Sequence, residues 1–259
     1  MHKWVGGRKE MPLPREKMDF YKPLYPIARE LYDHKYDRAV VGSENIPDGP
    51  AVYAPNHIHF DDSPLVAIAY TEATGVPLRF GAKREYFDGK GIDDHGKYGR
   101  IVRWVMEHGR MISVDRENTG LRTFQELQQS SARALERGDA VALHPEGTRS
   151  EDGRLHKFKA GAARIALMST VPIVPVGLVY ESYSNGRKTH ADIIFGEPLT
   201  PEDYSRWPYA ALPTKLKTEA MIQEVENRVA ALTGMEQTGT FAVLRKLRPG
   251  RGSGDEISE

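Results

Sequence analysis

Ala51-Val52-Tyr53-Ala54-Pro55-Asn56-His57-Ile58-His59-Phe60-Asp61-Asp62-Ser63-Pro64 is the stretch on which the fold turns. The apolar run Ala51 to Ala54 reads as a strand ending at a surface, and Ser63-Pro64 reads as a helix start, with Ser63 as the cap and Pro64 at the first helical position. Between them lie two imidazoles and two carboxylates. A neutral histidine held by a carboxylate is the usual means of removing a proton from an alcohol near neutral pH. Five positions separate His57 from Asp62, about 500° of rotation in an ideal helix, so the two cannot share a helical face. With His57 in the loop and Asp62 at the helix start, the chain can curl until the carboxylate meets Nδ1 of the imidazole and Nε2 faces outward. Asp61 competes as the orienter and His59 as the base. The same residues also read as a polar turn, or through His57, His59 and Asp61 as a metal site.

Working outward, the segments alternate. Arg38 to Val41 reads as a strand and Leu78 to Ala82 as another, followed by helical patterns near 98 to 108 and 119 to 137. In the second helix Leu121, Phe124, Leu127, Ala134 and Leu135 share a side, and Gly138-Asp139 stops it. Ala140 to Leu143 is a short strand, a helix spans about 159 to 169, and Ile173 to Val179 and Asp192 to Phe195 are further strands. Residues 214 to 232 form an amphipathic helix with Leu216, Met221, Val225, Val229 and Leu232 inward. This alternation predicts an α/β fold, a single domain with a central mixed, mostly parallel sheet flanked by helices. Ahead of it, Tyr21, Leu24, Tyr25, Ala28, Leu31 and Tyr32 recur at three- and four-residue spacing, which predicts an N-terminal amphipathic helix. Its face suits either the domain surface or a membrane interface. The domain is expected over 18–247, with a mobile segment at 1–17 and a disordered tail at 248–259.

The chain has 259 residues, with 36 lysines and arginines against 36 aspartates and glutamates. No global field therefore draws it to nucleic acid, and any attraction to phosphate must be local. There is no cysteine, which excludes disulfides, thiolate catalysis and cysteine-ligated zinc. Met1 to Arg8 lacks the apolar core of a signal peptide, and the longest apolar stretch, Val171 to Tyr180, is roughly half the ~20 residues a spanning helix needs. The expectation is a cytoplasmic protein, attached peripherally to a membrane if at all.

A second polar cluster, His144-Pro145-Glu146-Gly147-Thr148-Arg149-Ser150, follows the strand at 140–143. Strand ends of α/β sheets are where ligands bind, Gly147 permits a tight turn that exposes backbone N–H groups, and Arg149 can grip a phosphate bidentately. A loop salt bridge between Glu146 and Arg149 is the competing reading. Lys83, Arg116 and Lys159 also stand near strand ends or a helix start, and with Arg149 they would form a local anion pocket.

These blocks together resemble the glycerolipid acyltransferase superfamily typified by 1-acylglycerol-3-phosphate acyltransferases. The matching series runs in order from Asn56-His57 with Asp62, through Ala82-Lys83 with Glu85 and Ile112 to Arg116, to Pro145 through Ser150, Phe158-Lys159 with Gly161, and Val171 to Val176. It covers residues 38–198. His59 stands where many relatives carry serine, and His144 where an aromatic is common. The resemblance implies that His57 is the base and Asp62 its orienter. Lys83, Arg116, Arg149 and Lys159 would bind the substrate phosphate, and Glu146, Gly147 and Thr148 would form the turn that supplies oxyanion donors. It implies an acyl thioester donor, either acyl-CoA or acyl carrier protein, as co-substrate, with no cofactor and no metal. The acceptor would be a lysophospholipid, with 1-acylglycerol-3-phosphate foremost. Because acceptor and product are lipids, it also implies a membrane-surface partner, on the cytoplasmic face.

Overall fold

The structure is a computed structural model and describes residues 21–87, 103, 106, 111–115, 121–181 and 189–242. The strands are β1 (Tyr36–Val41), β2 (Val52–Pro55), β3 (Leu78–Lys83), β4 (Ile112–Val114), β5 (Ala140–Ala142), β6 (Ile173–Glu181) and β7 (Thr189–Phe195). The helices are α1 (Tyr21–Lys35), α2 (Asp62–Thr74), α3 (Arg84–Phe87), α4 (Leu121–Glu136), α5 (Gly161–Ser169) and α6 (Thr214–Thr233).

The strands form one sheet in the order β1-β7-β6-β2-β5-β3-β4. Neighbours pair in parallel except β6 and β7. The apolar run quoted first is therefore the central strand, and its four residues are all buried. A parallel strand covered on both faces has no use for alternation between apolar and polar residues. The period of two survives in which face each residue serves. Val52 and Ala54 pack with Val141, Leu143, Ile165, Ala166, Met221 and Val225, on the side covered by α4, α5 and α6. Ala51 and Tyr53 pack with Leu65, Val66, Ala69 and Tyr70 of α2 on the other. The mixed, mostly parallel sheet inferred from the sequence is thus observed, with β1 and β7 running against the rest.

Some sequence expectations shift. α2 starts at Asp62, one residue before the expected cap, with Asp61 preceding it, so Ser63 is the second helical residue and Pro64 the third. Pro64 remains acceptable there, because N–H groups of the first turn have no partner within the helix. On α1 the apolar face divides: Tyr32 packs toward the sheet, while Leu31 and Ile27 are exposed. Leu216, expected inward on α6, is also exposed, whereas Met221, Val225 and Val229 are buried as expected. Of the helical pattern near 98–108, Arg103 and Met106 are helical and the remainder lies outside the described residues, as do the segments 1–17 and 248–259. Among the described residues no helix is long and apolar enough to cross a membrane.

Candidate active site

The site is assembled at the carboxyl ends of β2 and β5, the central strands. Pro55 has no N–H, and the residue after it compensates with its side chain. Asn56 donates from Nδ2 to the Leu178 carbonyl at 3.0 Å and accepts from the Leu178 N–H at 2.7 Å, which pins the end of β2 to β6. The backbone of His57 is then held from both sides by the loop after β5. Its N–H donates to Glu146 Oε1 at 2.7 Å, and its carbonyl accepts from the Ser150 N–H at 2.7 Å.

From that position the chain turns around the Asp62 carboxylate. Oδ2 lies 2.8 Å from His57 Nδ1 and accepts the N–H groups of Ile58 at 2.7 Å and His59 at 2.8 Å, and Oδ1 accepts the Tyr180 hydroxyl. The side chain of Asp62 is wholly buried, and burial pushes its carboxyl upward, opposed by the Tyr180 hydroxyl and the two backbone donors. Because a carboxylate can only accept, Nδ1 of His57 carries the hydrogen and Nε2 is the ring nitrogen turned away from Asp62.

The competing pair is arranged differently. Asp61 points the other way, accepting Tyr36 Oη at 2.6 Å, Tyr32 Oη at 3.1 Å and the Lys35 ammonium. Despite burial, those donors hold its carboxyl below the usual range. Asp61 therefore ties α1 and β1 to the loop, while His59 is half exposed beside it. Among the described residues no three histidine, aspartate or glutamate side chains gather as metal ligands.

The loop after β5 differs from its sequence reading. Glu146 is fully buried and does not pair with Arg149; its two oxygens accept His57 N–H and, at 3.1 Å, His156 N–H. Burial lifts its carboxyl to about 7. The Glu146 side chain is thus a brace between two loops. Gly147, at φ +80°, donates its own N–H to the His144 carbonyl at 3.1 Å, so that N–H is already engaged within the turn. A Cβ on Gly147 would lie 2.4 Å from Lys159 Nζ, which places the lysine across this turn. Arg149 is exposed beside it and forms no salt bridge among the described residues. Lys83 closes β3, in register with Val114. Arg116 lies outside the described residues.

An apolar cleft of about 250 Å³ opens beside the turn, lined by Val114, Phe124, Leu127, Leu143, Pro145 and Ala162, with His144, Gly147 and Lys159 among its polar members. His144 separates it from His57: the two rings stack with centroids 3.9 Å apart and planes 14° from parallel. Sequence reasoning missed this stacking, the contact at 2.9 Å between the Ser63 hydroxyl and His144 Nε2, and the Tyr180 hydroxyl on Asp62. Tyr180 stands 118 positions from Asp62, at the end of an apolar strand, and nothing local marks it.

A buried carboxylate against a histidine at the ends of parallel strands, beside an apolar cleft, is an arrangement suited to activating a hydroxyl or water in an α/β enzyme. Comparison with known proteins makes the class specific. The chain belongs to the Acyltransferase family, whose model matches residues 37–179. It is 27% identical over 204 residues to a protein named "Probable 1-acyl-sn-glycerol-3-phosphate acyltransferase" of Mycoplasma pneumoniae, covering 72% of this chain and 71% of that one. It is 30% identical over 165 residues to a chloroplastic 1-acyl-sn-glycerol-3-phosphate acyltransferase of Brassica napus, covering 61% of this chain and 43% of the relative. The match thus spans less than half the length of that plant protein. Among solved structures, the 1-acyl-sn-glycerophosphate (LPA) acyltransferase PlsC of Thermotoga maritima is similar, with a TM-score of 0.52 and 25% identity over 80% of this chain and 78% of that one.

Proposed function

We propose that the protein is an O-acyltransferase moving a fatty acyl group from an acyl thioester, acyl-CoA or acyl carrier protein, to the hydroxyl of a lysophospholipid. The acceptor we favour is 1-acylglycerol-3-phosphate, which gives phosphatidic acid. The observation that carries this reading is the 2.8 Å contact between His57 Nδ1 and a wholly buried Asp62, fixed by further donors at the end of the central strand.

In this mechanism His57 Nε2 takes the proton of the acceptor hydroxyl as its oxygen attacks the thioester carbonyl, and Asp62 stabilises the imidazolium that forms. The oxyanion accepts from the backbone N–H groups of Thr148 and Arg149. Collapse expels the thiolate, which recovers the proton from His57. General-base assistance is worth about 10² to 10⁴ in rate, whereas holding both substrates in register can supply on the order of 7 to 11 kcal/mol. The second contribution falls to Lys83, Arg116, Arg149 and Lys159 on the acceptor phosphate, and to the apolar cleft on the acyl chain. No cofactor enters.

A lipid acceptor calls for contact with a membrane surface, on the cytoplasmic face, and the exposed Ile27 and Leu31 on α1 support that contact. Serine at both positions should weaken flotation with anionic vesicles; unchanged flotation would remove α1 from the proposal. For the reaction itself, purified protein is offered one acyl-CoA and a panel of lysolipids, with products read by mass spectrometry. Phosphatidic acid should form from 1-acylglycerol-3-phosphate, and His57→Ala should reduce its formation by at least about 100-fold. Activity of His57→Ala within a few fold of the parent would overturn the assignment of the base.

A further inference from the structure

Both ring nitrogens of His144 are engaged. Nδ1 faces the carbonyls of Asn56 at 3.0 Å and Pro55 at 3.2 Å. Carbonyls only accept, so the hydrogen sits on Nδ1, and Nε2 accepts the Ser63 hydroxyl at 2.9 Å. One imidazole thereby joins the end of β2 to the first turn of α2, the two elements that carry His57 and Asp62. Its ring face lies against His57, and the Phe80 ring tilts toward it with centroids 5.6 Å apart.

We propose that His144 is a positioning residue: a permanently neutral imidazole that clamps the loop carrying the base and presents its ring face to the imidazolium formed on His57. A cation over an aromatic face is stabilised by the ring's electron density, more so where water is excluded. Two stacked imidazoles cannot both be charged at this separation. His57 has the Asp62 carboxylate against its ring, whereas the hydrogen-bond partners of His144 are two carbonyls and a hydroxyl, all neutral, so the charge falls to His57. Burial, reinforced by the neighbouring His57, pushes His144 down to about 3. The titratable or charged groups around the pair are Asp62 on α2, Tyr180 on β6 and Glu146 in the loop after β5, with Lys159 and Asp115 across the cleft that His144 lines.

The inference rests on the acyl-transfer reading, and the experiment separates the two. Histidine ¹⁵N NMR on the unmodified protein should show His144 as the Nδ1–H tautomer, unchanged between pH 5 and 8; titration of His144 in that window would overturn the proposal. The acid limb of kcat/KM for acyl transfer reports the free enzyme's base. It should move down by roughly half to one pH unit in His144→Leu, with kcat falling about tenfold and KM little changed. His144→Phe, which keeps the ring face, should restore the limb and most of kcat. A Phe variant as impaired as the Leu variant, or a Leu variant equal to the parent, would refute the role of the ring face. If His57→Ala remains active, it is the base assignment that fails, whatever the position-144 variants show.

Discussion

Asp62→Asn is the substitution for which the structure gives the least obvious answer. Where an asparagine replaces the aspartate of a histidine-aspartate pair, the amide can turn its NH₂ toward the imidazole and force the wrong tautomer, which costs about 10⁴ in kcat. Here the Oδ2 position receives three donors: His57 Nδ1 at 2.8 Å and the N–H groups of Ile58 at 2.7 Å and His59 at 2.8 Å. The two backbone donors cannot accept. They select the amide oxygen for that position and send the NH₂ toward the Tyr180 hydroxyl, which can rotate to accept it. The tautomer of His57 is thereby kept, and only the negative charge beside the imidazolium is lost. A charge partner at this distance is worth 1 to 3 pKa units, so the expected loss is about 10- to 1,000-fold in kcat/KM. Steady-state acyl transfer gives the rate, and histidine ¹⁵N shifts give the tautomer. A loss of 10⁴ or more with His57 Nδ1 unprotonated would refute the argument that the backbone chooses the oxygen. Asp62→Ala is the control. It leaves buried donors without an acceptor and should destabilise the fold as well as the reaction.

The neighbouring carboxylate should behave differently. Asp61→Asn disturbs donors from Tyr32, Tyr36 and Lys35, so it should lower stability by about 1 to 3 kcal/mol and hydrogen-exchange protection in α1, with kcat kept within about tenfold. Glu146 has its folded-state carboxyl raised to about 7, above the usual 4.5, so the folded protein holds that proton more tightly than the unfolded chain. The associated stability is present below pH 4.5 and is lost as pH rises through 7, a fall of about 3 kcal/mol. Glu146→Gln should flatten that slope in urea titrations at pH 5 and 8, while weakening the hold on His57 at both. Gly147→Ala places a side chain at φ +80° and 2.4 Å from Lys159 Nζ. It should cost about 1 to 2 kcal/mol in stability and, by displacing the lysine, raise KM for the phosphate-bearing acceptor more than it lowers kcat. A KM unchanged from the parent would take Lys159 out of the acceptor site.

Much of this was legible in the chain because it depends on neighbours in sequence. The run Ala51 to Ala54 carries no charged residue and read as a strand end, which the structure confirms and covers on both faces. The five-residue spacing of His57 and Asp62 kept them off one helical face and allowed a loop followed by a helix start, which is what forms. The helix boundary was off by two residues because Asp61 and Ser63 are both acceptable caps by composition, and the curl around the Asp62 carboxylate takes precedence over propensity. The face of α1 was overdrawn for a similar reason: spacing shows that Leu31 and Tyr32 are near one another, but the Tyr32 hydroxyl bond to Asp61 sets which of them turns inward.

By itself, then, the sequence determined the alternation of strands and helices, the pairing of a base with a carboxylate five residues on, and the order of blocks that marks the family. The tertiary structure supplied the contacts that set Asp62, not Asp61, against His57. That choice depends on Tyr180 and on the hydroxyls and ammonium of residues 32 to 36, brought in from 118 positions downstream and more than twenty upstream. It also turned Glu146 from a turn residue into a brace and His144 into the ring against which His57 lies. Both follow from the adjacency of β2 and β5 in a parallel sheet, which sets two loops 89 residues apart within hydrogen-bond reach. Local spacing encodes what a segment can do, and strand order decides which partners it meets.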